Sequence, residues 1–250
     1  MAPMRDNLRN LMKWLAEPVM VVAMVFCATT AIAQPFYVPS GSMEPTLQIG
    51  DVMLGTKFAY GYSRWSVPRG IGPVSDTRLF GKMPKRGDVA IFRLPRDPRE
   101  TLVKRVIGLP GDRVQMVGGH LVINGETVKL EPAGTGQVEQ ASGHHDPIGR
   151  FTETLPGGVR HIVFKRHWDG VLDDTPVFTV PADHLFMMGD NRDNSLDSRV
   201  PAEDGGVGFV PVENLMARAD LMLGSYDYLN LHSVRDLLAK VRLSRFLRPI

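Results

Sequence analysis

The chain has 250 residues, with 29 Lys and Arg against 27 Asp and Glu, and a single cysteine, Cys27. The near balance of charge excludes the basic footprint expected of a nucleic-acid-binding protein, so no nucleic-acid partner is expected. One cysteine excludes an intramolecular disulfide and disfavours a cysteine-ligated zinc site, while 25 Gly and 19 Pro point to turns and short strands rather than a helical bundle.

Residues 1–17 are polar and carry Arg5, Arg9 and Lys13, and Val19 to Ala33 is then apolar apart from Thr29 and Thr30. Counted on to Val38, the run has the length that spans a bilayer, about 20 residues. Basic residues precede the run and none follows until Lys57, which predicts a cytoplasmic N-terminus (1–17), a transmembrane helix (18–34) and an extracytoplasmic remainder. A second reading is a cleavable signal peptide ending at Ala31-Ile32-Ala33. The continued apolar character of Phe36-Tyr37-Val38 favours the retained anchor.

Pro39-Ser40-Gly41-Ser42-Met43-Glu44-Pro45-Thr46-Leu47 follows, with two serines separated by a glycine and bracketed by prolines. Such composition makes turns, and it could equally present a serine nucleophile, which needs an activating base. Ser42 is eight residues beyond Gln34, at most about 29 Å of extended chain, so beside an anchor it would act near the membrane face.

Ile49 to Phe58 reads as a strand and Gly61 to Gly87 as a long surface loop. Asp88–Phe92 and Thr101–Ile107 are apolar strand runs. Gly108 to Asp112 is a turn. Val114 to Leu130 reads as a meander, with hairpin turns at Gly118-Gly119 and Asn124-Gly125. Residues 131–180 are polar and Gly-rich with scattered short strands such as His161–Phe164; with the meander they form a β-rich insert, 116–180. Val177 to Met188 returns to strand pattern and leads into a dense polar loop, Gly189 to Arg199. The expected core is therefore 35–115 with 181–225. The basic segment within 226–250 places Val234, Leu237, Leu238 and Val241 at helical spacing. It suits an amphipathic helix on the membrane surface or one packed on the core.

A base for Ser42 could be histidine or lysine. The seven histidines lie mostly in the meander and insert, and the Gly-x-Ser-x-Gly elbow is absent. His144-His145-Asp146 could ligate a metal, though an exposed polar loop explains it as well. A lysine must be desolvated to act as a base, because burial disfavours its charged form. Lys104 lies in an apolar strand on one face with Leu102 and Val106, and Arg105 lies on the other with Val103 and Ile107. Parity leaves the inward face open, and Lys104 could instead be a snorkelling edge residue. Arginine cannot be deprotonated, so if this strand supplies a base, it is Lys104.

Four segments in order resemble the boxes of type I signal peptidases: Ser40-Gly41-Ser42-Met43; Arg86-Gly87-Asp88-Val89; Lys104 through Asp112; and Gly189 through Arg199. The resemblance covers about 35–115 and 181–225. It implies an all-β fold of antiparallel sheets with a smaller β-rich insert and an N-terminal transmembrane helix. It implies Ser42 as nucleophile and Lys104 as general base, with the Ser42 N–H and the Ser40 hydroxyl as oxyanion hole. Ser195 would hydrogen-bond and orient the Lys104 amine, and Asp197 and Arg199 would pair and brace the loop. The implied substrates are secretory preproteins cut after Ala-x-Ala-like sites, the implied setting is the plasma membrane, and the other partners are the lipid bilayer and the export translocon. Neither metal nor cofactor is required. Ala31-Ile32-Ala33 could then be the enzyme's own cleavage site. Two rival readings are a Ser-Lys self-cleaving repressor, which would need an N-terminal DNA-binding motif, and a membrane-tethered β scaffold without enzymatic activity.

Overall fold

The structure is a computed structural model that describes residues 14, 16–26, 29, 32–66, 78–139, 145–227 and 240–250. Its described part is built almost entirely from antiparallel strands. Residues 16–26 are helical, and no helix among the described residues is long and apolar enough to cross a membrane.

The largest sheet has seven strands: β1 (Ala33–Tyr37), β2 (Asp51–Thr56), β3 (Val89–Leu94), β4 (Asp97–Gly108), β12 (His184–Met188), β13 (Val210–Pro211) and β14 (Leu215–Ser225). Their spatial order is β1-β2-β14-β3-β4-β12-β13. Long-range pairing places the strand after the first serine box and the last long strand side by side, with β14 between β2 and β3. β1 corrects the sequence reading: Ala33 and Gln34, expected at the end of the anchor, already pair with Thr56 and Gly55. Phe36-Tyr37-Val38 is apolar because it caps this sheet, with Val38 buried and Phe36 packed against the core. It is therefore no argument for a longer membrane segment.

β5 (Arg113–Val117), β6 (His120–Ile123), β7 (Glu126–Thr127) and β11 (Phe178–Thr179) form a four-stranded sheet in the order β11-β5-β6-β7. Its two hairpin turns carry left-handed residues where the dipeptides required them, at Gly118 and Gly119 and at Asn124 and Gly125. Val114, Met116, Leu121 and Ile123 pack against Ile107, Phe186 and Met188, tying this sheet to the larger one.

β8 (Lys129–Glu139), β9 (His145–Thr154) and β10 (Arg160–Lys165) form the third sheet, in the order β10-β9-β8. The expectation of scattered short strands for this region is corrected: β8 has 11 residues and β9 has 10. Pro132, Gly134 and Gly136 disguise β8, and the register shifts between Pro132 and Thr135 where the chain accommodates them. The pair needs little apolar sequence, since its described core is only Val138, Ile148 and Phe164.

The C-terminal segment also departs from expectation. The described part, 240–250, is a 3-10 turn at Leu243–Arg245 with bridges from Val241 to Tyr226 and Pro249 to Leu221. It lies along β14 as irregular extended chain rather than as an amphipathic helix. Residues 228–239 of that expected helix, like residues 67–77 of the long loop, lie outside the described residues. The flanks of that loop are fixed: Tyr62 bridges Leu79, and Arg78 donates to the carbonyls of Tyr60, Gly61, Val212, Glu213 and Leu215.

Candidate active site

The serine box forms a 3-10 turn, Gly41–Met43, entered from Ser40 in extended conformation. Met43 and Leu47 are fully buried and plug this turn into the core, while the Leu47 N–H donates to the Met43 carbonyl. The apolar plugs fix the backbone, so Ser42 is held rather than displayed on a mobile loop. A Cβ at Gly41 would meet the Glu44 carboxylate at 2.9 Å, so that side chain would have to shift.

β4 brings the candidate base. Its first half is exposed, but from Lys104 onward every residue is buried: β3 and β12 pair along its edges, and both faces pack, Val106 into one apolar cluster and Ile107 into another. Lys104 is 3% exposed and Arg105 6%. The question of the inward face thus dissolves: both faces are inward here, and each basic residue meets a different partner. The Lys104 Nζ lies 2.5 Å from the Ser42 Oγ. Burial pushes its amine down to about 8, with Arg199 pushing the same way and Asp197 and Asp190 opposing.

Three lysines are buried among the described residues: Lys57, Lys104 and Lys165. Lys57 is also pushed down to about 8 by burial, but its amine donates to the Ser66 carbonyl at 2.6 Å. Lys165 is ion-paired to Asp173 and Asp193. Only Lys104 combines a depressed affinity for its proton with contact to a serine hydroxyl. Among the described residues, the hydrogen-bond partners of the Ser42 Oγ are Lys104 and, at 3.4 Å, the Ser40 Oγ; no histidine is among them.

The loop 189–199 closes the site from the side. The Asn191 N–H donates to the Ser42 carbonyl at 3.1 Å, and its side-chain amide donates to the Gly41 carbonyl at 3.1 Å. Asp197 is fully buried and chelated: Arg199 binds it through Nε and NH2, and the Gly189 N–H donates to it at 3.0 Å. Burial pushes the Asp197 carboxyl up, but Arg199, the Gly189 N–H and Lys104 more than offset this and hold it below the usual range. A Cβ on Gly189 would collide with the Ser195 Oγ and the Ser42 carbonyl, so glycine is what lets the loop reach the serine turn.

Ser195 departs from its expected contact. No hydrogen bond joins it to Lys104; its Oγ is buried and has no partner among the described residues. It does line, with Asp193, Asn194 and Leu196, a cleft that also includes Ser40, Ser42, Leu102 and Lys104. On the other side of the dyad a pocket of about 160 Å³ is lined by Ser42, Lys104, Phe36, Tyr37, Met53, Ile91 and neighbours.

Beneath the turn runs a set of buried ion pairs that sequence reasoning passed over. Arg105 holds Asp190 through two bonds of 2.8 and 2.6 Å and donates to the Gly87 carbonyl at 2.7 Å. Asp190 also accepts from Thr46 at 2.5 Å. Next in the loop, Arg192 is bound bidentately by Glu153 of β9. Burial pushes the Glu153 carboxyl up, yet Arg192 and His161 outweigh it and hold the group at about 2. Asp193 accepts from Lys165 of β10. The third sheet therefore grips the loop at consecutive residues, and backbone bonds between Phe164 and both Asp190 and Arg192 reinforce the grip. From the other end of the chain, Arg245 binds Asp51 and the Thr46 carbonyl. The density of charge in Gly189–Arg199 was the only sequence signal for this network; Glu153, Lys165 and Arg245 carried none. Of the candidate metal set, His144 and the His145 side chain lie outside the described residues, and Asp146 pairs with Arg166.

Comparison with known proteins gives a consistent result. The signal peptidase family, peptidase S26, matches residues 11–223. Signal peptidase I of Rickettsia massiliae is 36% identical over 211 residues, 82% of this chain and 76% of that protein. Signal peptidase I of Rickettsia prowazekii is 36% identical over 229 residues, 87% of this chain and 83% of that protein. Among solved structures, a signal peptidase I from Enterococcus faecalis is 25% identical, covers 55% of this chain and 97% of its own, and has a TM-score of 0.31.

Proposed function

The chain belongs to the signal peptidase family, peptidase S26, and from that premise we propose that it cuts signal peptides from secretory preproteins with a Ser42–Lys104 dyad. The observation that carries this reading is the 2.5 Å contact between the buried Lys104 Nζ and the Ser42 Oγ.

With an amine affinity near 8, on the order of a tenth of Lys104 is neutral at pH 7, against under a tenth of a per cent for a free lysine. In the neutral form the hydroxyl donates to the amine lone pair. Lys104 takes the Ser42 proton as the oxygen attacks the scissile carbonyl, and the tetrahedral oxyanion is met by the Ser42 N–H and the Ser40 hydroxyl. Lys104 then gives the proton to the leaving amine of the mature protein. Water, deprotonated by the same amine, releases the signal peptide from the acyl-enzyme. Ser195, unpartnered beside the cleft, turns its hydroxyl to the amine when that becomes a donor. Asp197 and Arg199 hold the loop that carries it. No step calls for a metal or cofactor.

The substrate lies extended along the cleft, in the manner of an added strand. The pocket of about 160 Å³ suits small side chains, which supports cleavage after Ala-x-Ala-like sequences. The catalytic core is 35–115 with 181–225, and 116–180 is the insert that supports the loop. The apolar run from residue 18 up to the start of β1 anchors the enzyme in the plasma membrane, beside the export translocon, with 1–17 cytoplasmic and the core outside. In this reading Ser42→Ala and Lys104→Arg each abolish cleavage of an Ala-x-Ala preprotein by the purified enzyme, by on the order of 10³-fold or more, with an unchanged circular-dichroism spectrum. Substantial activity in Lys104→Arg would overturn the dyad, because a guanidinium cannot take the proton.

A further inference from the structure

On the Arg105 side of β4, away from Lys104, a pocket of about 450 Å³ opens where β9 and β10 meet the C-terminal segment. Apart from Thr46 its polar lining is basic: Arg105, Arg150, Arg160, His161, Arg245 and Arg248. No Asp or Glu is among its described lining residues. Two of the arginines are already neutralised, Arg105 by Asp190 and Arg245 by Asp51. Arg150, Arg160 and Arg248 have no carboxylate partner within ion-pair distance among the described residues, and all three are exposed at the mouth.

A second feature points the same way. His161 is more than nine-tenths buried. Its Nε2 faces two carboxylates, 3.3 Å from the Glu153 Oε2 and 3.9 Å from the Asp190 Oδ1, and neither ring nitrogen has a hydrogen-bond partner among the described residues. A buried polar atom without a partner is rare in a folded protein and calls for an occupant. Arg150, Arg160 and Arg248 line one cavity, and the guanidinium fork matches phosphate oxygens two at a time. The cavity exceeds what a bare phosphate fills and has apolar wall from Ile162 and Met222, so room remains for the organic part of an ester.

We propose that this pocket binds a phosphate ester, held by Arg150, Arg160 and Arg248 at the mouth with His161 deeper in. The ligand would be either a soluble phosphate ester or the headgroup of an anionic lipid. The site does not depend on the dyad, but it is continuous with it: Arg105 and Thr46 line the pocket and both bind Asp190, the second residue of the loop that closes on Ser42.

Thermal unfolding of the full chain decides the matter in two arms. In mild detergent the protein is titrated with inorganic phosphate and with glycerol 3-phosphate, against sodium chloride at equal ionic strength. In nanodiscs, phosphatidylcholine alone is compared with phosphatidylcholine containing phosphatidylglycerol. Both are repeated with the triple variant R150A/R160A/R248A, whose unliganded Tm should match wild type because these side chains are exposed. A saturable rise in Tm of roughly 5–10 °C at a hundredfold excess over Kd in the detergent arm, lost in the variant, supports the site with a soluble ester. A rise confined to phosphatidylglycerol nanodiscs and lost in the variant supports the site with a lipid headgroup. No rise in either arm, or an equal rise in the variant, overturns the proposal. Peptidase activity measured alongside keeps it separable from the dyad, since a failure of Ser42→Ala to inactivate would leave these outcomes unchanged.

Discussion

Lys104 sits where its charge is least welcome, and that has consequences for both rate and stability. Burial lowers its proton affinity from 10.5 to about 8. In the proposed mechanism acylation needs the neutral amine, so kcat/KM is expected to climb about tenfold per pH unit below 8 and to level off above it; a profile flat from pH 6 to 9 would count against the base assignment. The stability sign follows from linkage. Below pH 8 both folded and unfolded chains hold the proton and the folded chain bears the cost of burying it. Between about 8 and 10.5 the unfolded chain binds more protons, so stability rises with pH across that window. The shift corresponds to roughly 3 kcal/mol. Lys104→Met, inactive but of similar volume, should therefore unfold at a higher temperature than wild type at pH 7 in a thermal melt.

At the scale of elements, the site depends on how closely the 189–199 loop approaches the serine turn. Gly189→Ala places a methyl group against the Ser195 Oγ and the Ser42 carbonyl and must push the two apart. The chemical step should slow by about a hundredfold with little change in fold, read by single-turnover cleavage; wild-type kinetics would show that the approach is not needed. Much of this layout was legible beforehand. The apolar runs marked β3 and β4, the dipeptides marked the hairpins, and the serine and lysine boxes marked the two residues that meet at 2.5 Å. Three things were not legible. Strand parity assumes one covered face, and β4 has two from Lys104 onward. β8 and β9 stabilise each other by pairing rather than by burying apolar side chains, so they lacked the pattern that betrays strands. The helical spacing of Val234, Leu237 and Leu238 lies outside the described residues, and it does not predict 240–250, where the local chain follows β14 and Arg242 and Arg245 find carbonyl and carboxylate partners.

Across the whole molecule, buried charge links parts far apart in sequence. Glu153 of the third sheet binds Arg192, and Arg245 near the C-terminus binds Asp51 at the start of β2. Removing one member of a buried pair strands the other, at a cost of about 3–5 kcal/mol. Glu153→Ala should lose stability of that order and also slow turnover, because Arg192 neighbours the residues that clasp Ser42; Arg245→Ala should lose somewhat less, its guanidinium being partly exposed. Urea unfolding monitored beside cleavage rates checks both. If Glu153→Ala destabilised the chain yet cleaved normally, the third sheet would be a passenger rather than a brace.

β1 has a bearing on the enzyme's own fate. Under the proposed Ala-x-Ala specificity the enzyme's own Ala31-Ile32-Ala33 would be a target, yet Ala33 and Gln34, the two residues flanking that bond, are stitched by register to Thr56 and Gly55. A bond within a ladder cannot thread another molecule's cleft until the edge unzips, so folding itself acts as immunity. Purified enzyme stored at its working pH should keep an intact mass, and clipping after Ala33 should appear only under conditions that fray that edge.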